Sequence, residues 1–411
     1  MTSRERVRKV LSFEKPDRLP IDIGGTQQTG IHVDEYVKLG EHLGIDLETP
    51  KMFDQFQMLA RMDEWAHKRL HSDVVLLEDP AVTWGYENKA WKPWETSLGN
   101  TVLVPGAFNT VTQGKYEYII DHSGKQVAYK SSDSLYFDKI SPPGSQGGDY
   151  TYNDPEVWKN SIKLYTDGEL KKLEANAKFL YTYTDYSIFG GADKGKLWST
   201  SQFAGHGFED WLCILMTESG YAQEMLGVFA ERAVENFSLY LQAAGSYIDA
   251  LVVSSSDYGS QKSELLSPKL FEELYVPGMK LINDYVHSHS LAKIYFHSCG
   301  SIRNLLELMI SAGVDIINPL QFTADNMDTD DIAKNFGGKV VFWGGGVDTQ
   351  TVLQHGTEDE VAAQVIQRID LFSLKGGHVF APVHNIQPGV PIQNLLCAVD
   401  TAYSHGTRIY C

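Results

Sequence analysis

Eight short runs of β-branched, aromatic and other apolar residues alternate along this chain with longer stretches of helical periodicity, and that alternation restricts the fold more than any other feature. The runs are Arg18 to Gly24, Asp73 to Glu78, Phe179 to Ile188, Ile248 to Ser255, Ala292 to His297, Val314 to Pro319, Lys339 to Trp343 and His378 to Val383. A strand followed by a helix returns parallel to itself, and eight such units close a barrel. The expected architecture is therefore α/β, a (β/α)8 TIM barrel forming one domain over residues 1–411. Helix starts support it. Thr357 and Glu360 are spaced as a capping box, Ser267-Pro268 places a cap before a first-turn proline, and Pro391 opens the last helix. Thr2 and Glu5 make another box, ahead of an amphipathic helix with Val7, Val10 and Leu11 on one face, read as a lid or buttress. A long helical span from about Ser199 to Ala244 precedes the fourth run.

Residues of about 84–148 break the alternation. Lys115 to Ile120 and Gln126 to Tyr129 flank the turn signal Asp121-His122-Ser123-Gly124, so a small antiparallel insertion is expected after the second barrel strand. Ser141 to Gly148 reads as a loop leading to a helix start at Asp154-Pro155. The aromatic group Trp84, Tyr86, Trp91 and Trp94 could box a methoxylated ring or a quaternary ammonium, or could simply be the core of the insertion.

Against 35 Lys and Arg stand 53 Asp and Glu, a net charge of −18 that repels nucleic acid and anionic membranes. Four cysteines in 411 residues are no disulfide framework. The charged first segment lacks a signal-peptide core and no apolar run reaches membrane-spanning length. A cytoplasmic setting is expected.

The carboxyl ends of barrel strands carry the active site in this architecture. At the end of the fifth run lies Ile294-Tyr295-Phe296-His297-Ser298-Cys299-Gly300. Side chains two apart on a strand share a face, so His297 and Cys299 project together, and an imidazole beside a thiolate suits zinc. Gly300 lets the backbone turn away. Counting by twos along the eighth run brings His384 to the same end as a third ligand, leaving an open fourth position. The plainer readings are a buried polar pair and a loop histidine. Asp257, after the fourth run, could orient a ligand histidine or move a proton, or could cap a loop beside Gly259. Gln261 follows it as a further catalytic candidate. Gln321, Asp348, Asn385 and Gln387, beyond the sixth, seventh and eighth runs, are substrate-contacting candidates. Gly344 to Gly346 could cradle phosphate, but with no following Lys-Ser or Lys-Thr a close backbone approach is the better reading.

The chain resembles the uroporphyrinogen decarboxylase superfamily, and within it the cobalamin-dependent methyltransferase-like branch. The resemblance is carried by Arg6 with Pro16-Asp17-Arg18-Leu19-Pro20, by Asp257-Tyr258-Gly259-Ser260-Gln261, Ser267-Pro268 and Pro277, by His297-Ser298-Cys299-Gly300, and by Phe342 to Gln350 and Pro382 to Asn394. It departs from the decarboxylases in one place. Their arginine-rich Met-Arg-Gln-Ala-Gly-Arg motif, which grips the porphyrinogen carboxylates, is replaced by Ile23 to Gly30 with no cation. In the zinc methyltransferases the resemblance implies a His-x-Cys pair and a later cysteine, where this chain has His384.

What the resemblance implies is zinc-assisted transfer of a methyl group between a small O-, N- or S-methylated donor and a corrinoid (cobalamin). Zinc either holds a thiol as thiolate or improves the leaving heteroatom, and exchanging a thiolate for the neutral His384 favours the second. With no Asp-x-His-x-x-Gly signature in the chain, the corrinoid is expected on a partner protein docked at the barrel mouth; relatives also admit a homodimer. The alternatives are a metal-independent decarboxylase of a small acid and a barrel that binds without catalysis, the latter disfavoured by His297, Cys299, His384 and Asp257 at strand ends.

Overall fold

The computed structural model describes residues 1–80, 86–121, 123–140, 150–192, 194 and 203–410. Seven parallel strands lie side by side in chain order: Val74–Leu77, Ser187–Gly190, Ala250–Ser254, Lys293–His297, Ile316–Asn318, Val341–Trp343 and His378–Val379. The gap between the first and the last is filled by the segment around Ile21. Asp22 donates its N–H to Phe380 O at 2.8 Å and Phe380 donates to Pro20 O at 2.9 Å, while on the other side Asp73 donates to Ile21 O at 2.7 Å. The fold is thus the expected TIM barrel, with one irregular stave. Arg18 to Gly24 fails to form a regular strand for a local reason: Pro20 has no N–H to give, and the Ile21 N–H is taken at 2.9 Å by the Asp73 side chain.

Asp73 is also the centre of an ion-pair knot. Its fully buried carboxylate accepts from Arg6 Nη1 at 2.7 Å and from Arg18 Nη1 at 2.8 Å, and Arg6 reaches on to Asp17 at 2.6 Å. The Arg6 and Asp17-Arg18 signature therefore ties the amino-terminal segment to the barrel, away from the His297 end. The first helix, Ser3–Leu11, starts with the expected Thr2/Glu5 capping box. Val7, Val10 and Leu11 pack with Phe189, Val252, Tyr295 and Trp343 inside the barrel, so this helix is a plug.

One run and one helical span are corrected. Phe179 to Tyr183 belongs to the helix Asp167–Tyr183, started by a Thr166/Glu169 capping box, and the strand begins only at Ser187. Phe179, Tyr181 and Tyr183 imitate strand alternation, but Phe179 and Tyr183 are exposed and their rings meet at 5.1 Å across one helical turn. The span before the fourth run divides into Phe208–Thr217 and Ser219–Ala244; its expected start at Ser199 lies outside the described residues.

Between the strands at Val74 and Ser187 the chain makes an antiparallel pair, Lys92–Glu95 with Thr101–Val104, and a four-stranded meander, Asn109–Gln113, Tyr116–Ile120, Gln126–Ser131 and Asp138–Lys139. Asp121 Oδ1 accepts from the N–H groups of Ser123 at 2.8 Å and Lys125 at 3.0 Å and so builds the turn. Phe108, Ile119, Ala128 and Phe137 share a core with Leu19, Ile31 and Phe380, which presses the insertion onto the barrel wall. Trp94 stands edge-on to Phe108 at 5.6 Å and Trp91 carries the Arg61 guanidinium at 5.0 Å, so these two serve packing. Trp84 and the Ser141 to Gly148 loop lie outside the described residues. No helix of the described residues is long and apolar enough to cross a membrane.

Candidate active site

The strand Lys293–His297 ends with His297 directed into the barrel mouth, and the chain then turns so that Cys299 Sγ comes to 3.7 Å from His297 Nε2. Asp257, beyond the neighbouring strand Ala250–Ser254, completes the group. Its Oδ1 accepts the Cys299 N–H at 2.7 Å and lies 3.6 Å from His297 Nε2. One ligand atom from each of Asp257, His297 and Cys299 falls within 4.8 Å of the others. Two loops must cross closely to achieve this. Gly300 has φ +85°, and a Cβ there would meet the Gly259 carbonyl carbon at 2.4 Å. Tyr258 N–H to Ser298 Oγ, 2.9 Å, pins the same crossing.

The proton on His297 is placed by its neighbours. Asn318 Nδ2 donates to the Trp343 carbonyl at 2.7 Å, which leaves Asn318 Oδ1 as acceptor, 2.6 Å from His297 Nδ1. Nδ1 therefore carries the hydrogen and Nε2 presents its lone pair to Asp257 and Cys299. Burial, reinforced by the Asp257 carboxylate, pushes the Cys299 thiol well above the ordinary range. A cation between the three groups reverses that balance, because it favours thiolate and carboxylate together.

A cavity of about 240 Å³ opens over this group. His384 lines it together with Cys299 but stands outside the tight cluster, its Nδ1 donating to Asn385 O at 3.2 Å. Burial depresses its basicity, so the ring is neutral, with Nε2 as the unprotonated nitrogen. Gln321, Asn385 and Gln387 line the same cavity. Gln321 Oε1 accepts the Gly300 N–H at 2.7 Å, and Asn385 donates to Gln57 at 2.9 Å. The buried Gln387 Oε1 meets no donor among the described residues.

Two sequence candidates fall elsewhere. Asp348 is buried, and its carboxylate is committed to a turn, accepting from Gln350 N–H at 3.0 Å and Thr351 N–H at 3.0 Å, with the Thr351 hydroxyl also bonded; Thr349 and Gln350 reach the cavity instead. Gln261 is exposed, and its backbone carbonyl accepts from Asp325. Gly346 leaves no room for a Cβ, which would lie 2.4 Å from the Phe380 ring, so the glycine run serves close packing. Sequence reasoning missed Asn318, although it lies at a strand end like the others, and missed Leu135 and Tyr136, which reach the cavity from the insertion.

A solved structure, the methyltransferase from Methanosarcina mazei, superposes on 98% of this chain and 98% of its own with a TM-score of 0.57 at 14% identity, a likeness of fold. The Ignisphaera aggregans GH53 catalytic domain covers 60% of this chain and 88% of its own at a TM-score of 0.29 and 10% identity, too low to bear on the fold. No curated protein matches the sequence. The family description "Uroporphyrinogen decarboxylase (URO-D)" matches residues 200–405, half of the chain and the half that carries Asp257, His297, Cys299 and His384, and the protein belongs to that family.

Proposed function

We propose that this protein is a zinc-assisted methyltransferase that moves a methyl group between a small methylated donor and a corrinoid carried by a partner protein. The observation that carries this reading is the convergence of Asp257, His297 and Cys299 on one point, with the His297 lone pair directed inward by Asn318. His297, Cys299 and Asp257 would hold the zinc, with His384 across the cavity as a further nitrogen donor. The sequence alone suggested a set with one thiolate and two imidazoles, carrying one negative charge. The carboxylate of Asp257 brings a thiolate-containing set to two, which balances a divalent ion. Bound there, zinc supplies Lewis acidity toward the heteroatom that bears or receives the methyl group.

The chain's own residues do the rest. Asn318 fixes the His297 ring, Gln321 holds the Gly300 backbone and with it Cys299, and the amides around His384 orient the donor. A corrinoid is too large for a cavity of about 240 Å³, so on this reading the partner protein would have to present it at the barrel mouth. The unpaired Cys213, Cys299 and Cys397 suit a reducing, cytoplasmic setting.

Zinc content of anaerobically purified protein tests this first, followed by methyl transfer to free cob(I)alamin read from its visible spectrum. About one zinc per chain, lost in Cys299→Ala, His297→Ala and Asp257→Asn, is the expected result. Protein that takes up no zinc even when it is supplied overturns the reading and brings forward decarboxylation of a small acid, assayed as CO₂ release.

A further inference from the structure

The roof of the cavity is built by the antiparallel insertion. The loop joining Gln126–Ser131 to Asp138–Lys139 brings Leu135 and Tyr136 to the cavity lined by Cys299 and His384. These two large side chains are 43% and 37% exposed, on a loop that is otherwise firmly anchored. Phe137 is fully buried and donates its N–H to Phe56 O at 3.0 Å, and the Lys130 ammonium lies 5.3 Å from its ring. On the other flank His32 Nε2 donates to Leu135 O at 3.1 Å. Backbone on both sides of Tyr136 is therefore fixed while its ring is left in the cavity. The phenol is held above its ordinary pKa by burial, then by Asp138, Asp257 and Cys299, so it is neutral and close enough to the cluster to feel its charges.

The remaining walls carry no cation among the described residues. Gln321, Gln350, Gln354, Asn385 and Gln387 are neutral amides, and Val383 and Val390 are apolar. An anionic substrate finds no side-chain cation to pair with there, and the Asp257 carboxylate, bonded to the Cys299 N–H at 2.7 Å, opposes it. The volume of about 240 Å³ lies below the roughly 300–1,000 Å³ of pockets for drug-sized ligands.

We propose that Tyr136 is a specificity-determining residue which sets the size of the molecule reaching Cys299, and that the substrate is a small, uncharged molecule with one apolar face and one face that hydrogen-bonds to amides. This rests on the reading of the His297 and Cys299 end of the barrel as the reacting centre, but not on zinc. Tyr136 acts by shape: its ring lines the cavity together with Leu135, Val383 and Val390, so a donor must fit in the space it leaves to reach the sulfur.

Alkylation of Cys299, followed by peptide mass mapping on protein kept metal-free with a chelator, measures this directly. N-methylmaleimide and N-phenylmaleimide react through the same chemistry, so their rate ratio cancels changes in thiol reactivity and reports access. Tyr136→Ala is expected to shift the ratio toward the phenyl reagent by about tenfold, with Tyr136→Phe close to wild type. An unchanged ratio in Tyr136→Ala overturns the role of Tyr136; Leu135→Ala, which opens the same roof, serves if that variant does not fold. Iodoacetamide is expected to outpace iodoacetate at Cys299 by at least about tenfold more than it does in the urea-unfolded chain. Equal preference in the folded and unfolded chains overturns the uncharged class. Zinc content measured in parallel separates the two readings. A shifted ratio in protein that never takes zinc leaves this inference standing without the metal, and an unchanged ratio in protein that does take zinc removes this inference alone.

Discussion

His297 Nδ1 and Asn318 Oδ1 are 2.6 Å apart, and the amide end of Asn318 is fixed in turn by the Trp343 carbonyl. A backbone carbonyl on one strand thereby decides which nitrogen of a histidine two strands away is free to bind. Asn318→Ala removes that control, letting the ring rotate or take the other tautomer. Zinc affinity is expected to fall by about 10–100-fold, the usual cost of losing such a supporting contact. Competition against a chromophoric chelator reads the affinity, and an unchanged value would show that Asn318 does not set the ring.

Gly300→Ala tests the loop crossing. Its φ of +85° strains any side chain, and the added Cβ meets Gly259 backbone at 2.4 Å, which cannot yield as a flexible side chain would. The variant is expected to lose about 2 kcal/mol of stability, combining a strained conformation with displaced backbone, and to bind zinc more weakly because Cys299 and Asp257 separate. Denaturant melts together with metal content check both, and a stable variant with full zinc uptake would contradict the geometry.

The sequence disclosed those parts of the site that depend on strand periodicity. His297 closes a regular strand of five residues with Cys299 just beyond it, and Asp257 follows another, so the rule that strand ends carry chemistry reached them. His384 was reached by counting by twos along a ladder that is regular only over His378–Val379, with one further bridge at Phe380. Beyond it the chain bends, and the count no longer fixes a direction; the histidine still lines the cavity, but outside the tight cluster. Asp348 looked like its neighbours because a turn-capping carboxylate and a ligand carboxylate have the same one-letter code. Tyr136 carried no local signal at all. Its place depends on contacts to Phe56 and His32, about 80 and 100 residues away in the chain, which no window of sequence displays.

The ion-pair knot beneath the barrel makes a separate prediction. Asp73 is fully buried between Arg6 and Arg18, and it also caps the Ile21 N–H. Asp73→Ala leaves Arg18 and one arm of Arg6 without their shared carboxylate, Arg6 keeping only Asp17, and is expected to cost about 3–5 kcal/mol. Urea midpoints of the variant and of Arg18→Met measure it. A loss under about 1 kcal/mol for Asp73→Ala would mean that the arginines find water instead.

Three buried histidines make the fold sensitive to acid. Burial lowers His378 to about 3 and both His32 and His67 to about 4, against an ordinary 6.5. Over those intervals the unfolded chain holds protons that the folded chain refuses. Their contribution to stability is therefore complete above pH 6.5 and is lost as pH falls toward 4, at about 1.4 kcal/mol per pH unit for each ring. Asp22 works in the opposite sense. Burial raises it to about 6 in spite of the hydrogen bond it accepts from the Trp343 indole, so the folded chain keeps its proton between 3.8 and 6 and gains stability there on acidification. One carboxyl group offsets about one histidine over that range, and the net expectation is a fall of several kcal/mol between pH 7 and pH 4.5. Urea midpoints across that range, compared with those of His378→Gln, provide the measurement. His378 has a buried Nε2 with no partner among the described residues, so replacing it with a group that cannot charge should flatten the net acid limb by roughly half, since Asp22 already offsets one of the three rings. A variant whose pH profile parallels that of the wild type would remove His378 from the account and leave His32 and His67 to carry it.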